Sequence, residues 1–439
     1  MRLTGKRIFV FWAPLAATWL MMAVEGPFLA AVIARLPDPK FNLAAWGVAF
    51  AFAILVEAPI IMIMSASTAL AEDAASFLKL RNFTYVLNAI ITAAMTLVLV
   101  PPVFDFIIED LIGLPDEVAH LTYGALFLLL PWPGAIGYRR FFQGLLIRDS
   151  RTRLVAYGTV IRLSFMAATA LVLYTQFSLA GAYVGAAALS AGVCAEALAS
   201  RLMARGTVRR LLESARDENE PLTYRRIAVF YYPLALTSTL ALAVHPMVTF
   251  MLGRARFPVE SLAVLPVVNS LSFIFRALGL SYQEVAIALL AKNREHVKQL
   301  GRFALWLGLA SSLGLALVGF SPLAHVWFET VSGLSRELAD FAITPTQIMV
   351  LLPATSVLLS LQRGILVQDR FTRPITWATV IEVGGIVLVL LALTRGLDMI
   401  GATAAAIAFV AGRLAGSGYL VAPSLSVLRG RTERAPAGV

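Results

Sequence analysis

Nine ionisable side chains stand inside long apolar runs: Glu25, Glu57, Arg162 and Glu196 in the first half of the chain, and His245, Arg276, Glu284, Glu382 and Arg413 in the second. A charge in apolar surroundings is costly, and is kept where it lines a cavity, binds an ion or pairs with another helix. Glu25 precedes Gly26-Pro27 and Glu57 precedes Ala58-Pro59, so both carboxyls sit where a proline interrupts a helix. Such a kink opens room for water or an ion. The expected chemistry at Glu25 and Glu57 is therefore reversible binding of a proton or sodium ion, as one ion-coupling element of the first lobe. His245, Arg276, Arg162 and Glu382 are the expected contacts of a charged solute. A second reading stays open for several of them: Glu57 as an acid that ties two helices together, Arg162 and Glu382 as charges held by, or snorkelling towards, nearby basic loops. Glu196, Glu284 and Arg413 read as structural.

Bond-making chemistry is not expected. The sequence has no phosphate-binding glycine loop with its lysine, no nucleophile elbow and no His/Cys cluster at metal spacing. Its histidines, His120, His245, His296 and His325, are scattered, and its one cysteine, Cys194, lies in an Ala/Gly-rich apolar run. The chain is expected to be no enzyme and to carry no cofactor or metal. Any energy source is then a proton or sodium gradient, or the solute's own gradient.

Of the 439 residues, 59% are hydrophobic and 14% charged, against roughly a quarter charged in soluble domains. This is the composition of an integral membrane protein. The net charge of +10 is spread over short connections, so the continuous basic footprint that nucleic acid requires is missing. Runs of about 20 residues, enough to cross about 30 Å of hydrocarbon, fall at 8–34, 43–69, 83–103, 119–147, 154–175, 179–203, 226–252, 260–290, 302–325, 339–367, 374–394 and 398–422. The first follows a basic N-terminus but is too long for a signal peptide.

The runs form two copies of one unit. Gly144, Leu146, Asp149, Thr152, Arg153, Thr159, Val160 and Ile161 recur as Gly364, Leu366, Asp369, Thr372, Arg373, Thr379, Val380 and Ile381, a constant offset (364 − 144 = 220). Arg7, Ile8, Val10, Phe11, Pro14, Leu15 and Ala16 recur as Arg226, Ile227, Val229, Phe230, Pro233, Leu234 and Ala235. A fixed period marks duplication. Six runs per copy is an even number, so both copies enter the membrane from the same side. The expected architecture is an all-α polytopic protein with twelve transmembrane helices in two parallel six-helix repeats, divided as lobes 1–203 and 226–422, a linker 204–225 and a tail 423–439.

Arg139, Arg140, Arg148, Arg151 and Arg153, and the basic residues of 201–210 and 292–302, load one set of connections. The alternate set carries Asp105, Glu109, Asp110, Asp116 and Glu117, with Glu329, Glu337 and Asp340 in the second copy. By the positive-inside rule both termini are cytoplasmic, in a bacterial-type inner membrane. The linker is expected to hold an amphipathic surface helix, and 72–81 and 292–302 to lie as interfacial segments. Pro14, Pro27, Pro131 and Pro133 in the first copy, and Pro233, Pro246 and Pro353 in the second, break helices at matching places and point to the transport path.

Leu43-Ala44, Gly47, Ala49 and Pro59 in the second run, and Tyr232-Pro233-Leu234-Ala235-Leu236 with Pro246 in the seventh, resemble the superfamily of multidrug/oligosaccharidyl-lipid/polysaccharide (MOP) flippases, and within it the progressive ankylosis proteins. The resemblance implies a MATE-like two-lobe fold, rocker-switch alternating access and export of a small molecule by a monomer in the bilayer. The ankylosis branch implies organic anions such as citrate, nucleotides or pyrophosphate. Glu57 and His245 depart from that branch's neutral residue and arginine, which weakens the case for a strongly anionic solute. The MATE branch implies proton- or sodium-coupled drug antiport, and a third branch the flipping of lipid-linked precursors.

Overall fold

The structure, a computed structural model, describes residues 3–149, 151–213, 222–292, 296–369, 371 and 373–429. Eleven of its helices are long and apolar enough to cross a membrane, or twelve if the pair Ala74–Val98 and Pro101–Ile112, bent by 78°, is one broken span. Among the described residues there is no strand, only an isolated bridge between Arg256 and Ile400.

The first copy runs α1 (Gly5–Ala23), α2 (Glu25–Ala34), α3 (Pro39–Glu57), α4 (Ile63–Leu70), α5 (Ala74–Val98), α6 (Pro101–Asp105), a π-helix (Phe106–Ile112), α7 (Asp116–Leu128), α8 (Pro131–Arg148), α9 (Thr152–Gln176) and α10 (Gly181–Met203). After α11 (Arg205–Glu213) the second copy gives α12 (Tyr224–Leu242), α13 (Val244–Leu252), α14 (Pro258–Leu280), α15 (Tyr282–Lys292), α16 (Val297–Gly319), α17 (Leu323–His325), a π-helix (Val326–Val331), α18 (Arg336–Ile348), α19 (Leu351–Gln368), α20 (Arg373–Leu391) and α21 (Gly401–Leu428).

The breaks fall where the sequence placed prolines. α1 gives way to α2 at Val24, three residues before Pro27, and α12 to α13 at Ala243, three before Pro246. α7 and α18 end just before α8 and α19, which carry Pro131, Pro133 and Pro353 in their first turns. A proline there lacks a donor only where the first turn would leave it unused. Pro14 lies inside α1, and α12 runs through position 233. The second runs are broken too, after Glu57 and at Ser281.

The duplication extends to local geometry. Asp38 (φ 52°) and Phe257 (φ 53°) both take the left-handed conformation ahead of the prolines that open α3 and α14. Asn42 Oδ1 accepts from the Ala182 amide at 2.9 Å, and Ser261 Oγ from the Ala402 amide at 3.0 Å, so each second run caps the start of its copy's sixth. The π-helices Phe106–Ile112 and Val326–Val331 each lead to a glycine with positive φ, Gly113 at 79° and Gly333 at 76°, a conformation that costs glycine little.

Packing divides the chain into a unit of Met1–Ala31 with Ala255–Val439 and a unit of Val32–Arg254. These packing units cut across the sequence copies 1–203 and 226–422. The first helix of each copy packs with the other copy, and hydrogen bonding gives the reason. The break after Glu57 frees carbonyls, and α12 supplies donors: Tyr231 Oη to Pro59 O at 2.6 Å and Ser238 Oγ to Ala58 O at 2.8 Å. At the break between α14 and α15, Trp12 Nε1 of α1 donates to Leu278 O at 3.2 Å and Ser281 Oγ at 2.8 Å. Inside a membrane a freed carbonyl must find a protein donor.

The linker holds the expected helix in α11, while its residues 214–221 lie outside the described residues, as does the tail from 430. The tail's first residues, 423–428, are the end of α21. The segment 72–81 is not a separate interfacial element. Asp73 caps α5 in a reciprocal box with Ser76, so those residues open the third span, and Val297 likewise opens α16.

Candidate functional site

In the unit Val32–Arg254 a polar cluster forms on one face of α8, where Trp132, Arg139 and Gln143 follow at intervals of seven and four residues, a helical stripe. Trp132 Nε1 donates to Glu57 Oε2 at 2.6 Å. Arg139 and Gln143 both donate to Glu196 of α10, the latter at 3.0 Å, and Arg162 Nε of α9 lies 3.7 Å from the same carboxylate. Glu196 is wholly buried at 0% exposure. Arg140 turns the other way, its Nη1 3.8 Å from Met64 Sδ. Two guanidiniums, those of Arg139 and Arg162, therefore meet the Glu196 carboxylate, with Glu57 and Trp132 at the other end of the stripe.

The unit Met1–Ala31 with Ala255–Val439 holds a second cluster. Arg413 Nε of α21 donates to Glu382 Oε1 of α20 at 2.6 Å, and its Nη1 to Ser356 Oγ of α19 at 3.1 Å. Arg363 Nη2 reaches Thr379 Oγ1 at 3.4 Å, and Gln362 Nε2 reaches Ser417 O at 3.0 Å. Arg276 of α14 makes no hydrogen bond or ion pair among the described residues, and its Nε is buried without a partner. Arg413 and Glu382 act on it electrostatically. Here three guanidiniums face one carboxylate.

The two clusters are one design with its charges exchanged. Arg162 and Glu382 are repeat equivalents, and so are Gly192 and Gly412 (412 − 192 = 220). A Cβ on Gly192 would meet Arg162 O at 2.9 Å, and one on Gly412 would meet Glu382 O at 2.6 Å. The glycines thus let the fifth and sixth spans of each copy approach closely. In the first copy the arginine stands on the fifth span and the acid, Glu196, on the sixth; in the second the acid stands on the fifth and Arg413 on the sixth. Glu57 and Arg276 also correspond, by the offset 219 (276 − 57) that relates the second runs.

Of the residues expected to act, Arg162 and Glu382 are brought into ion pairs, Glu57 into a hydrogen bond with Trp132, and Arg276 stands without either. Glu25 opens α2, in the unit with Ala255–Val439, and Glu57 ends α3, in the unit Val32–Arg254. His245 is the second residue of α13, past its break. Arg139 and Arg140, expected in a basic connection, lie within α8, which runs to Arg148. The sequence reading missed them, together with Trp132, Gln143 and Arg363. The stripe 132, 139, 143 was the signal for the first copy. Glu284 is exposed.

No protein-family model and no curated protein matches the chain. Solved structures do. An inward-facing multidrug resistance MATE family transporter of the MOP superfamily superposes with a TM-score of 0.66 at 15% identity, over 94% of this chain and 95% of that one. The lipid II flippase MurJ, inward closed, gives 0.73 at 13% identity over 96% and 90%. The chain has the fold of these transporters. The eukaryotic MATE transporter AtDTX14 agrees, at 0.64 and 14% identity over 97% and 98%. MATE and MurJ structures both superpose over nearly the whole chain, so the MATE-like expectation is met at the level of fold.

Proposed function

We propose that the chain is a secondary-active membrane transporter that exports small organic solutes by alternating access, with organic anions favoured. The observation that carries the choice of anions is Arg276, a guanidinium in a spanning helix with no carboxylate partner among the described residues. The cluster around it contains more guanidinium than carboxylate, Arg276, Arg363 and Arg413 with Glu382 alone, and an unneutralised arginine in a membrane recruits a counter-charge, which an anionic solute supplies. The resemblance to the ankylosis proteins supports the same class. Glu57 is the proposed proton or sodium site, coupling solute to ion; the protein works as a monomer in the bilayer of a bacterial-type inner membrane, both termini cytoplasmic, with no nucleic acid and no cofactor. The fold neighbours are transporters and a flippase, in keeping with a non-enzyme.

A flippase is the second reading, favoured by the likeness to MurJ over 96% of the chain. Purified protein in liposomes separates the two. Uptake of a labelled organic anion, lost in Arg276→Gln, supports the exporter; scrambling of a labelled lipid without anion uptake supports the flippase.

A further inference from the structure

Within the unit Val32–Arg254, two guanidiniums flank a short ladder of aromatic rings near the end of the bundle that carries the basic connections. Arg81 lies over the Tyr85 ring at 5.9 Å and Arg201 over the Phe142 ring at 4.9 Å. Between them Tyr85 stacks on Tyr138 with centroids 6.0 Å apart and planes at 13°, and Tyr138 meets Phe142 at 4.9 Å. Both arginines act electrostatically on the Tyr85 hydroxyl. The rings come from α5 and α8 and the second arginine from the last turn of α10, so three spans contribute.

Neither arginine is in an ion pair among the described residues; the hydrogen bonds of Arg81 go to Asn82 Oδ1, at 3.3 and 3.1 Å. Among the described residues, Glu72 is engaged with Arg148, Glu213 with Arg209 and Glu196 with Arg139. Tyr85 is 40% exposed, so the ladder opens to the outside of the helix bundle.

We propose that Arg81, Tyr85 and Arg201 form a headgroup site for an anionic phospholipid of the leaflet on the basic side. Each feature fits the phosphodiester. The guanidiniums lie over the ring faces and, among the described residues, the N–H groups of Arg201 and the Nη1 of Arg81 have no partner, Arg81 Nε and Nη2 being held by Asn82 Oδ1. A phosphate accepts bidentate donation from such edges, and the tyrosine hydroxyl adds a further donor. Arg201 is about 3 Å along the helix axis from the end of α10 and Arg81 about 10 Å from the start of α5, at 1.5 Å per residue, which spans the headgroup layer. Lys79 reaches out of α5 at the same level, donating to Leu222 O at 2.8 Å. Basic pockets between spans at this level suit anionic lipids, and the apolar rings beneath suit the acyl chains. The proposal does not depend on which solute is transported.

The test compares thermal unfolding of the full chain in phosphatidylcholine nanodiscs with and without phosphatidylglycerol. Phosphatidylglycerol is expected to raise the unfolding temperature of the wild type, while inorganic phosphate does not. The double variant Arg81→Gln with Arg201→Gln is expected to lose that rise, and Arg209→Gln, whose side chain pairs with Glu213, to keep it. Should the double variant fold poorly, Arg81→Lys with Arg201→Lys keeps the charge but not the fork, and its apparent affinity for phosphatidylglycerol is expected to fall several-fold. An undiminished rise in the Gln pair, an unchanged affinity in the Lys pair, an equal loss in Arg209→Gln, or the same rise with inorganic phosphate overturns the proposal.

Discussion

Tyr231 donates its hydroxyl to the carbonyl of Pro59 at 2.6 Å, and the repeat equivalent of Tyr231, Trp12, donates its indole N–H to Leu278, the repeat equivalent of Pro59, at 3.2 Å. The same bond is made twice, in each case from the first helix of one copy into the broken second helix of the other. This reciprocity accounts for the division of the chain: a helix that must supply donors to a break packs where that break is.

Removing the donor should therefore loosen the unit without changing its fold. Tyr231→Phe keeps the ring's packing and leaves the Pro59 carbonyl unmet, at an expected cost of about 1–2 kcal/mol for a hydrogen bond within a membrane. Trp12→Phe should cost less, because Ser281 Oγ also donates to Leu278 O, at 2.8 Å. Thermal unfolding in detergent reads both. Equal costs, or none for Tyr231→Phe, would remove this explanation of the exchange.

The ion pair between the fifth and sixth spans is kept in both copies with its polarity reversed, Arg162 with Glu196 and Glu382 with Arg413. What is held constant is a neutral pair beside a close glycine contact, not either charge. Glu382→Arg alone places three like charges together with Arg413 and Arg363 and is expected to abolish folded protein. Arg413→Glu added to it restores opposite charges and should recover a monodisperse peak in gel filtration. A double variant no better than the worse single one would show that the two positions do not act as a pair.

Much of this was legible in the residues. The period near 220 gave the two copies, the prolines gave the breaks at 24, 129–130, 243 and 349–350, and the apolar runs gave the spans. The exchange of α1 and α12 was not legible. It depends on which unit a helix packs with, and an apolar helix is compatible with either. The site was read in part for a related reason. Arg139 and Arg140 read as loop charges in the sequence because hydropathy measures a residue's cost and not its partner, and the partner that pays for Arg139 is Glu196, 57 positions away. The polarity reversal of Arg162 and Glu382 was visible, but its meaning required Glu196 and Arg413, whose positions differ within the repeat.

The linker helix α11 is fastened to the connection after α8 through one carboxylate. Asp149 accepts from Thr207 Oγ1 at 2.6 Å, pairs with Arg151 at 3.1 Å and also binds Arg210. Asp149→Ala should free α11 while the spans remain, since these contacts are largely exposed and exposed pairs contribute little to global stability. Hydrogen exchange is expected to accelerate several-fold across 205–213, with the unfolding temperature nearly unchanged. Unchanged protection would mean that packing on α5 and α10 holds the helix instead.

Glu57 receives the Trp132 N–H at 2.6 Å and stands at the end of α3, where the break begins. Glutamine can still accept that bond but cannot bind a proton or carry charge. Glu57→Gln is expected to insert and fold, and to transport without the wild type's dependence on pH or sodium. Measured in liposomes with imposed gradients, wild-type coupling in this variant would remove Glu57 from the coupling role. Loss of folded protein would assign it to holding α3 against α8.

Arg276 gives the sharpest separation between a solute contact and a structural charge, because the two roles predict opposite signs. A guanidinium in a spanning helix whose Nε is buried without a partner, and which makes no ion pair among the described residues, recovers little of its desolvation cost. Arg276→Gln removes that cost, so the unliganded protein should be at least as stable as the wild type. The same change removes the charge that an anion would meet, so anion affinity should fall tenfold or more, about 1.4 kcal/mol or above. A thermal-shift titration with an organic anion reads both quantities in one experiment: the baseline without ligand and the rise with it. A stable baseline with a lost rise supports the proposed role. A lowered baseline would show that Arg276 supports the fold, and an undiminished rise would show that the anion binds elsewhere.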